Sequence, residues 1–335
     1  MRKLIYFVLF TMFISCGEKP LEKTTVRGQA FGTTFLIQAY TNQNLDLGKG
    51  IDSILNLVNK SVSTYLPDSD ISKINRGDTS VIVDQIFIDN YNLSLEVYQR
   101  TEGYFDPTIG VLRNAYGFGD TKPLKVIDNK ALDSMLNYVG FHKVKLTEDS
   151  KILKQHPEIY FDFNAVAKGY GIDLIGDYLA SNKIQNFLIE LGGELLAKGV
   201  NLKKNKAWVV GIENTFSTIN DRSYSTSIIL KDVGMATSGN YRKFRVDSIS
   251  KKRYIHTLNP LTGSAEKTDI TSATVLASTC AEADAYATSF MALGFKKSVE
   301  LINKLDDIEV YLTYSNHDNI QQFFITEGMK KIILD

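Results

Sequence analysis

Thr279-Cys280-Ala281-Glu282-Ala283-Asp284-Ala285-Tyr286-Ala287-Thr288 sets a carboxylate and a hydroxyl four residues apart inside a run of alanines. Alanine is the strongest helix former, so the stretch predicts a helix from Ala281 to Leu293. Residues four apart stack on one helix face, so Asp284 and Thr288 present two hard oxygens in one direction. Their small neighbours allow another backbone to come close. Such a donor pair suits Mg²⁺, which keeps waters and substrate phosphates as its other ligands. The plainer alternative is a buried helix whose Asp and Thr bond locally.

Upstream, 26–40 reads as a strand interrupted by Gly28 and Gly32. Helices are expected over 46–61, through Ile51, Ile54, Leu55 and Val58, and over 84–100, ending at Gly103. Short strands follow at 144–146 and 159–163. A helix at 168–180 would bury Leu174, Ile175, Tyr178 and Leu179. The rest is mostly strand: 186–189, 207–212, 225–230, 272–276, 309–314 and 322–325, with one more helix at 297–305. Helices early and strands late point to an α+β fold with a largely antiparallel sheet core and flanking helices. The βαβ alternation and GxGxxG of a dinucleotide fold are absent, as is a Walker loop.

The N-terminus reads as a targeting signal over 1–16. Arg2-Lys3 precede an apolar run from Leu4 to Ile14, too short to span a bilayer, and then Ser15-Cys16. A cysteine after a small residue resembles a lipoprotein cleavage site, with Cys16 as the lipidated first residue. The alternative is a conventional signal peptide with an incidental cysteine. Residues 17–25 read as a tether. Only two cysteines exist, so lipid on Cys16 leaves Cys280 without a disulfide partner. The 38 basic and 38 acidic side chains balance, which gives no electrostatic case for nucleic acid.

Five segments carry more chemistry than a scaffold needs. In Gly103-Tyr104-Phe105-Asp106-Pro107 the proline fixes the exit direction of Asp106. Asp162-Phe163-Asn164-Ala165-Val166-Ala167-Lys168 runs from a strand into a helix. It gathers an acid, a loop carbonyl, free N–H groups and a lysine, a site ready for phosphate plus metal. Glu190-Leu191-Gly192-Gly193-Glu194 is a paired-glycine turn, and Ala236-Thr237-Ser238-Gly239-Asn240 offers two hydroxyls. His256-Thr257-Leu258-Asn259-Pro260 places one of four histidines just before a turn. Ordinary turn chemistry, or a histidine bonded to a loop carbonyl, explains each segment singly.

Taken in order, these segments resemble the ApbE family of FAD:protein FMN transferases. The resemblance spans roughly 26–330. It is carried by FGTTF at 31–35, STYLPDSDISKIN at 63–75, FDPTIGVL at 105–112, DFNAVAKGYGID at 162–173, ELGGE at 190–194, ATSGN at 236–240, HTLNPLTG at 256–263 and EADAYAT at 282–288. It implies one flavin transferase domain over 26–335 that takes FAD as substrate with Mg²⁺ as cofactor. It further implies metal ligands at the Ala165 carbonyl, Asp284 and Thr288. FAD contacts are implied at Tyr65, Tyr104, Phe105, Asp106, Asp162, Lys168 and the loop around Leu258. Phe31 stands where the family often has methionine, and its ring can lie against the flavin or adenine. Asn164-Ala165 replaces the more usual Gly-Gly or Ser-Thr, a change that a backbone-carbonyl ligand tolerates.

The implied reaction moves FMN from FAD to a Thr or Ser hydroxyl of an exported acceptor protein, releasing AMP. Asp284 would hold the catalytic metal. His256, with a pKa in the useful range, is the candidate base. The implied setting is a lipid-anchored protein facing the periplasm, at the inner membrane rather than the outer. Two competing expectations remain: an FAD pyrophosphatase giving FMN and AMP, and a non-catalytic FAD-binding lipoprotein.

Overall fold

A computed structural model describes residues 20–334 except 216–222, 241–243, 247–252, 317 and 319. The signal peptide over 1–16, Cys16 included, lies outside the described residues, as does 17–19 of the tether. The rest of that tether is not a linker, because β1 (Glu22–Ala30) begins inside it. β1 and β2 (Thr33–Thr41) form a hairpin, so the single strand expected over 26–40 is two. Its turn is Phe31-Gly32, with φ of 51° and 75°. Two left-handed residues match the right-handed twist of the strands on either side.

Five helices follow. In α1 (Leu47–Val62), Asp46 accepts from the Lys49 N–H at 3.1 Å. Next come α2 (Asp70–Asn75) and α3 (Gln85–Arg100), the latter capped by Asp84 on the Phe87 N–H at 2.9 Å. α4 (Gly110–Tyr116) and α5 (Asn129–Leu136) lead to a small hairpin, β3 (Val144–Leu146) and β4 (Ile152–Lys154).

The strand expected over 159–163 does not form. Its alternation is real, with Ile159, Phe161 and Phe163 buried, but its partner is largely a side chain. The Asn75 carboxamide donates to the Phe161 carbonyl at 2.9 Å and accepts from the Phe161 N–H at 2.7 Å. One parallel bridge, Ile109 to Tyr160, completes the pairing.

α6 (Ala167–Ser181) buries Gly169, Gly171, Ile172, Ile175, Gly176 and Leu179. Leu174 and Tyr178, expected inside, are only half-buried. Of its buried glycines Gly169 meets neighbouring backbone, which a count of apolar residues does not reveal.

The second half supplies β5 (Phe187–Leu191), β6 (Glu194–Lys198), β7 (Trp208–Glu213), β8 (Tyr224–Leu230), β9 (Val233–Gly239), β10 (Phe244–Val246), β11 (Arg253–Ile255) and β12 (Ile270–Ala277). After these come α7 (Cys280–Leu293), α8 (Phe295–Ile302), β13 (Glu309–Ser315), β14 (Gln321–Ile325), α9 (Glu327–Ile332) and β15 (Ile333–Leu334). Eight strands make one sheet in the order β1-β2-β5-β6-β9-β12-β13-β14. Every neighbouring pair in it is antiparallel. The α+β class with an antiparallel core therefore holds. The early-helix, late-strand division does not, because the N-terminal hairpin forms one edge of that sheet.

The pleat separates two faces. Phe35, Ile37 and Ala39 of β2 pack with Ile51 and Leu55 of α1 and Ile172, Ile175 and Leu179 of α6. Further along the same face, Ala273 and Val275 of β12 meet Ala283, Ala287 and Phe290 of α7. On the other face Tyr40, Leu188 and Met235 pack with Trp208, Leu230 and Met329, from β7, β8 and α9.

Candidate active site

α6 meets α7 at Gly169, and β9 meets it at Gly234, with no room for a larger residue at either. A Cβ on Gly169 would lie 2.4 Å from the Cys280 carbonyl oxygen, and one on Gly234 would lie 2.4 Å from the Cys280 nitrogen. Asp173 of α6 caps α7 from the side, accepting from the Cys280 N–H at 2.8 Å and the Ala281 N–H at 2.9 Å. Thr279 caps the same turn on the Glu282 N–H at 3.2 Å. Burial raises the Asp173 carboxyl to about 7 against the pull of those N–H groups.

This contact puts Asp284 against the first turn of α6. Asp284 is 3 % exposed, and its Oδ2 accepts from the Gly169 N–H at 3.3 Å. Lys168 Nζ lies 3.9 Å from the same oxygen and is ion-paired to Glu194 at the start of β6. Burial works to lower the Lys168 pKa, but Asp284 and Glu194 together raise it above the usual lysine range. Burial also lifts the Glu194 carboxyl to about 7, opposed by Lys168. Glu194 Oε2 is buried with no hydrogen-bond partner. With both acids ionised, two carboxylates face one ammonium, an imbalance that favours an added cation.

One helical turn from Asp284, the Thr288 hydroxyl lies 3.3 Å from the Ser238 hydroxyl of β9. Just past the end of β9, the Asn240 carboxamide is buried with neither its oxygen nor its nitrogen hydrogen-bonded among the described residues. Ala165 stands two residues before α6, in a turn closed by the Val166 N–H on the Phe163 carbonyl at 2.9 Å. It packs against the α7 cluster. Among the described residues no three His, Cys, Asp or Glu side chains group into a metal cage. Asp284 and Thr288, one helical turn apart on α7, offer instead two hard oxygens, to which the Ala165 carbonyl would add a third. That set fits Mg²⁺, which completes its shell with water and phosphate oxygens.

The other expected contacts fall into two groups. Asp162 is held by Arg113, Nε to Oδ2 at 3.0 Å, and accepts from the Asn164 N–H at 2.8 Å. Its own N–H donates to the Pro107 carbonyl at 2.8 Å, tying the α6 loop to the Asp106 turn. Tyr65, 57 % exposed, lies in the field of Arg113 and Asp162. Tyr104 is half-buried with the Lys297 ammonium 4.5 Å above its ring. Tyr65 is thus grouped with Asp162 and Arg113, while Tyr104 stands in the turn beside Asp106.

Asp106, Phe105, Leu258 and Phe31 instead hold the frame. Asp106 Oδ1 accepts from the Thr108 N–H and hydroxyl at 2.8 and 2.6 Å, and Oδ2 accepts from the Phe141 N–H at 3.1 Å. Burial raises this carboxyl to about 6. Phe105 belongs to the α7 core and Leu258 to the cluster around α4 and α5. The Phe31 ring tip would be 2.9 Å from a Cβ on Gly171, so its ring lies along α6.

His256 follows β11 and is half-buried. Its loop folds back through the Ile255 N–H to the Ala265 carbonyl at 3.0 Å. Leu261 of that loop comes within 3.2 Å of a Cβ position on Gly103, so the histidine loop and the Tyr104 turn are neighbours.

Sequence reasoning passed over Arg113, Asp173, Glu194 and Asn240 as functional side chains. Glu194 and Asn240 stand in motifs that were read for their glycines and hydroxyls. Arg113 and Asp173 act across the fold on Asp162 and α7, and nothing local in the sequence announces that.

The family profile described as "ApbE family" matches residues 31–312. A Vibrio cholerae protein named FAD:protein FMN transferase is 30% identical over 96% of this chain and 97% of its own length. A Haemophilus influenzae protein of the same name is 31% identical, over 93% of both. The structure of the flavin transferase ApbE from Vibrio cholerae superposes with a TM-score of 0.81 at 29% identity, covering 93% of this chain and 100% of that one. With a profile match over most of its length and relatives aligned nearly end to end, the chain belongs to the ApbE family.

Proposed function

We propose that this chain is a Mg²⁺-dependent FAD:protein FMN transferase, acting on a Thr or Ser hydroxyl of an exported acceptor protein. The observation that carries the reading is the seating of Asp284. It is a buried carboxylate at the N-terminal turn of α6, 3.9 Å from an ammonium and one helical turn from a hydroxyl. The names of the Vibrio cholerae and Haemophilus influenzae relatives support the same activity.

The acceptor oxygen bonds to the phosphorus on the FMN side of the pyrophosphate. The bond from that phosphorus to the bridging oxygen breaks, and AMP leaves with the electron pair. Asp284, Thr288 and the Ala165 carbonyl would hold Mg²⁺, which supplies charge neutralisation on the phosphate oxygens and a template for the in-line geometry. Lys168 and the N–H groups at the head of α6 add positive potential where negative charge grows. His256 takes the hydroxyl proton, a role suited to an imidazole near neutral pH. Tyr65, Tyr104 and the Asp162–Arg113 pair would contact FAD. Lipid on Cys16 would hold the domain at the outer face of the inner membrane, within reach of exported acceptors.

The test is AMP release from FAD with Mg²⁺, with and without an acceptor segment bearing Thr or Ser. Transfer requires AMP and a covalently fluorescent acceptor together. AMP without labelled acceptor would make the chain a pyrophosphatase. Intact bound FAD in both tubes would make it a carrier.

A further inference from the structure

The back of the sheet, away from α6 and α7, carries a cavity of about 690 Å³ that the transfer reaction does not use. Lys23, Lys203, Lys204 and Lys206 line it, with Tyr40 and Trp208 and, among the described residues, no acidic one. The turn that carries three of these lysines is held in place. The Tyr40 hydroxyl donates to Asn201 Oδ1 at 2.7 Å and accepts from the Lys203 N–H at 3.1 Å. The Lys204 N–H reaches Asn201 Oδ1 at 3.3 Å, and Asn201 bridges to Lys206 across the turn. Lys23 stands opposite Tyr40 in the β1–β2 register.

Some lysines of this neutral chain have carboxylate partners, as Lys151 has Asp149 at 3.0 Å. Among the described residues none of the four pocket lysines is ion-paired. Four unpaired ammonium groups repel one another unless an anion stands among them.

The pocket's place in the chain names the anion. Lys23 is the second residue of the first strand and follows Cys16 by seven positions. That length of chain reaches at most about 25 Å when extended. Basic groups so close to a membrane anchor meet the negative potential of anionic lipid.

We propose that this lysine pocket binds anionic phospholipid headgroups and lays the back of the sheet on the membrane. The proposal rests on the anchored setting given above. It leaves the Asp284–Lys168 face turned away from the bilayer, toward exported proteins. Free phosphate shares the headgroup chemistry and must be separated from it.

Trp208 is the only tryptophan in the chain and lies in the pocket wall, so its emission reports occupancy directly. The full chain, processed as the cell leaves it, is mixed with phosphatidylcholine vesicles and with vesicles containing phosphatidylglycerol. Both are doped with a brominated lipid as quencher. Quenching of Trp208 is expected only with phosphatidylglycerol and is abolished by high salt. The Lys203→Glu/Lys204→Glu/Lys206→Glu variant should bind anionic vesicles about tenfold more weakly or worse, while transferring FMN normally in detergent. Equal quenching by both vesicles, or quenching unaffected by the triple substitution, overturns the proposal. So does a Trp208 response to tripolyphosphate with no vesicle preference, which makes this a soluble-anion site. The mass of Cys16 in the same sample separates the two readings. Lipidated Cys16 without selective quenching removes the pocket, and bare Cys16 with it removes only the anchor.

Discussion

Lys168 and Asp284 sit on different helices, yet their charged ends lie 3.9 Å apart because Gly169 lets α6 and α7 touch. The ammonium also meets Glu194, so one cation stands between two buried acids. Lys168→Met strands both. A loss of about 3 kcal/mol or more is expected, the usual result of removing one partner from a buried pair. Mg²⁺ should then raise the melting temperature of the variant more than that of the wild type, because the ion answers the same uncompensated charge. Equal Mg²⁺ shifts in thermal melts would separate the metal from Asp284.

Gly169→Ala tests the helix contact itself. Its methyl would press on the Cys280 backbone, which cannot turn aside, so overpacking should cost about 1–3 kcal/mol and move Lys168 off Asp284. Gly171→Ala is the control, since its new methyl meets the Phe31 ring, a side chain that can swing. Denaturant midpoints and FMN transfer, measured side by side, should both fall much further for Gly169→Ala. Matching losses in the two variants would mean that the helix contact does not set the site.

His256→Ala should lower FMN transfer by about 10² to 10⁴ while FAD affinity holds, the range ascribed to a positioned general base. Equilibrium binding and single-turnover transfer on one preparation distinguish the two quantities. Full transfer in the variant would exclude this histidine as the base.

Asp106 gives a pH signature. Its carboxyl titrates at about 6 when folded, above its ordinary 3.8, because burial disfavours the charge. A raised carboxyl contributes stability that is complete below the unfolded pKa and is lost as pH rises through the folded one. Melting temperature should therefore carry a falling component between pH 4 and 6 that Asp106→Asn lacks. Asn would also turn a donor toward the Phe141 N–H or the Thr108 donors, costing about 1–3 kcal/mol across the range. Parallel pH slopes in the two proteins would remove Asp106 as the source.

Much of the site was legible because its parts lie close in sequence. Asp284 and Thr288 are one helical turn apart, and Asp162 to Lys168 fall in one loop. Helix ends were legible where a cap declares them, as at Asp46, Asp84 and Thr279. The failures share a cause, that distant partners decide local structure. Residues 159–163 alternate as a strand should, yet the Asn75 side chain takes the place of a neighbouring strand. β9 is Val-Gly-Met-Ala-Thr-Ser-Gly, weak in β-formers, and no strand is expected there from its sequence. It is a central strand because β6 and β12 pair with it on either side. An FAD contact at Asp106 is implied by the family resemblance. The fold spends both of its oxygens on Thr108 and Phe141.

The most direct measurement compares wild type with Asp284→Ala, each given FAD, Mg²⁺ and an acceptor segment, with AMP and acceptor mass read together. Wild type should release one AMP for each FMN-bearing acceptor, and the variant, folded by circular dichroism, should yield neither. Undiminished coupled turnover in Asp284→Ala would contradict a metal-held transfer site at the α6–α7 contact.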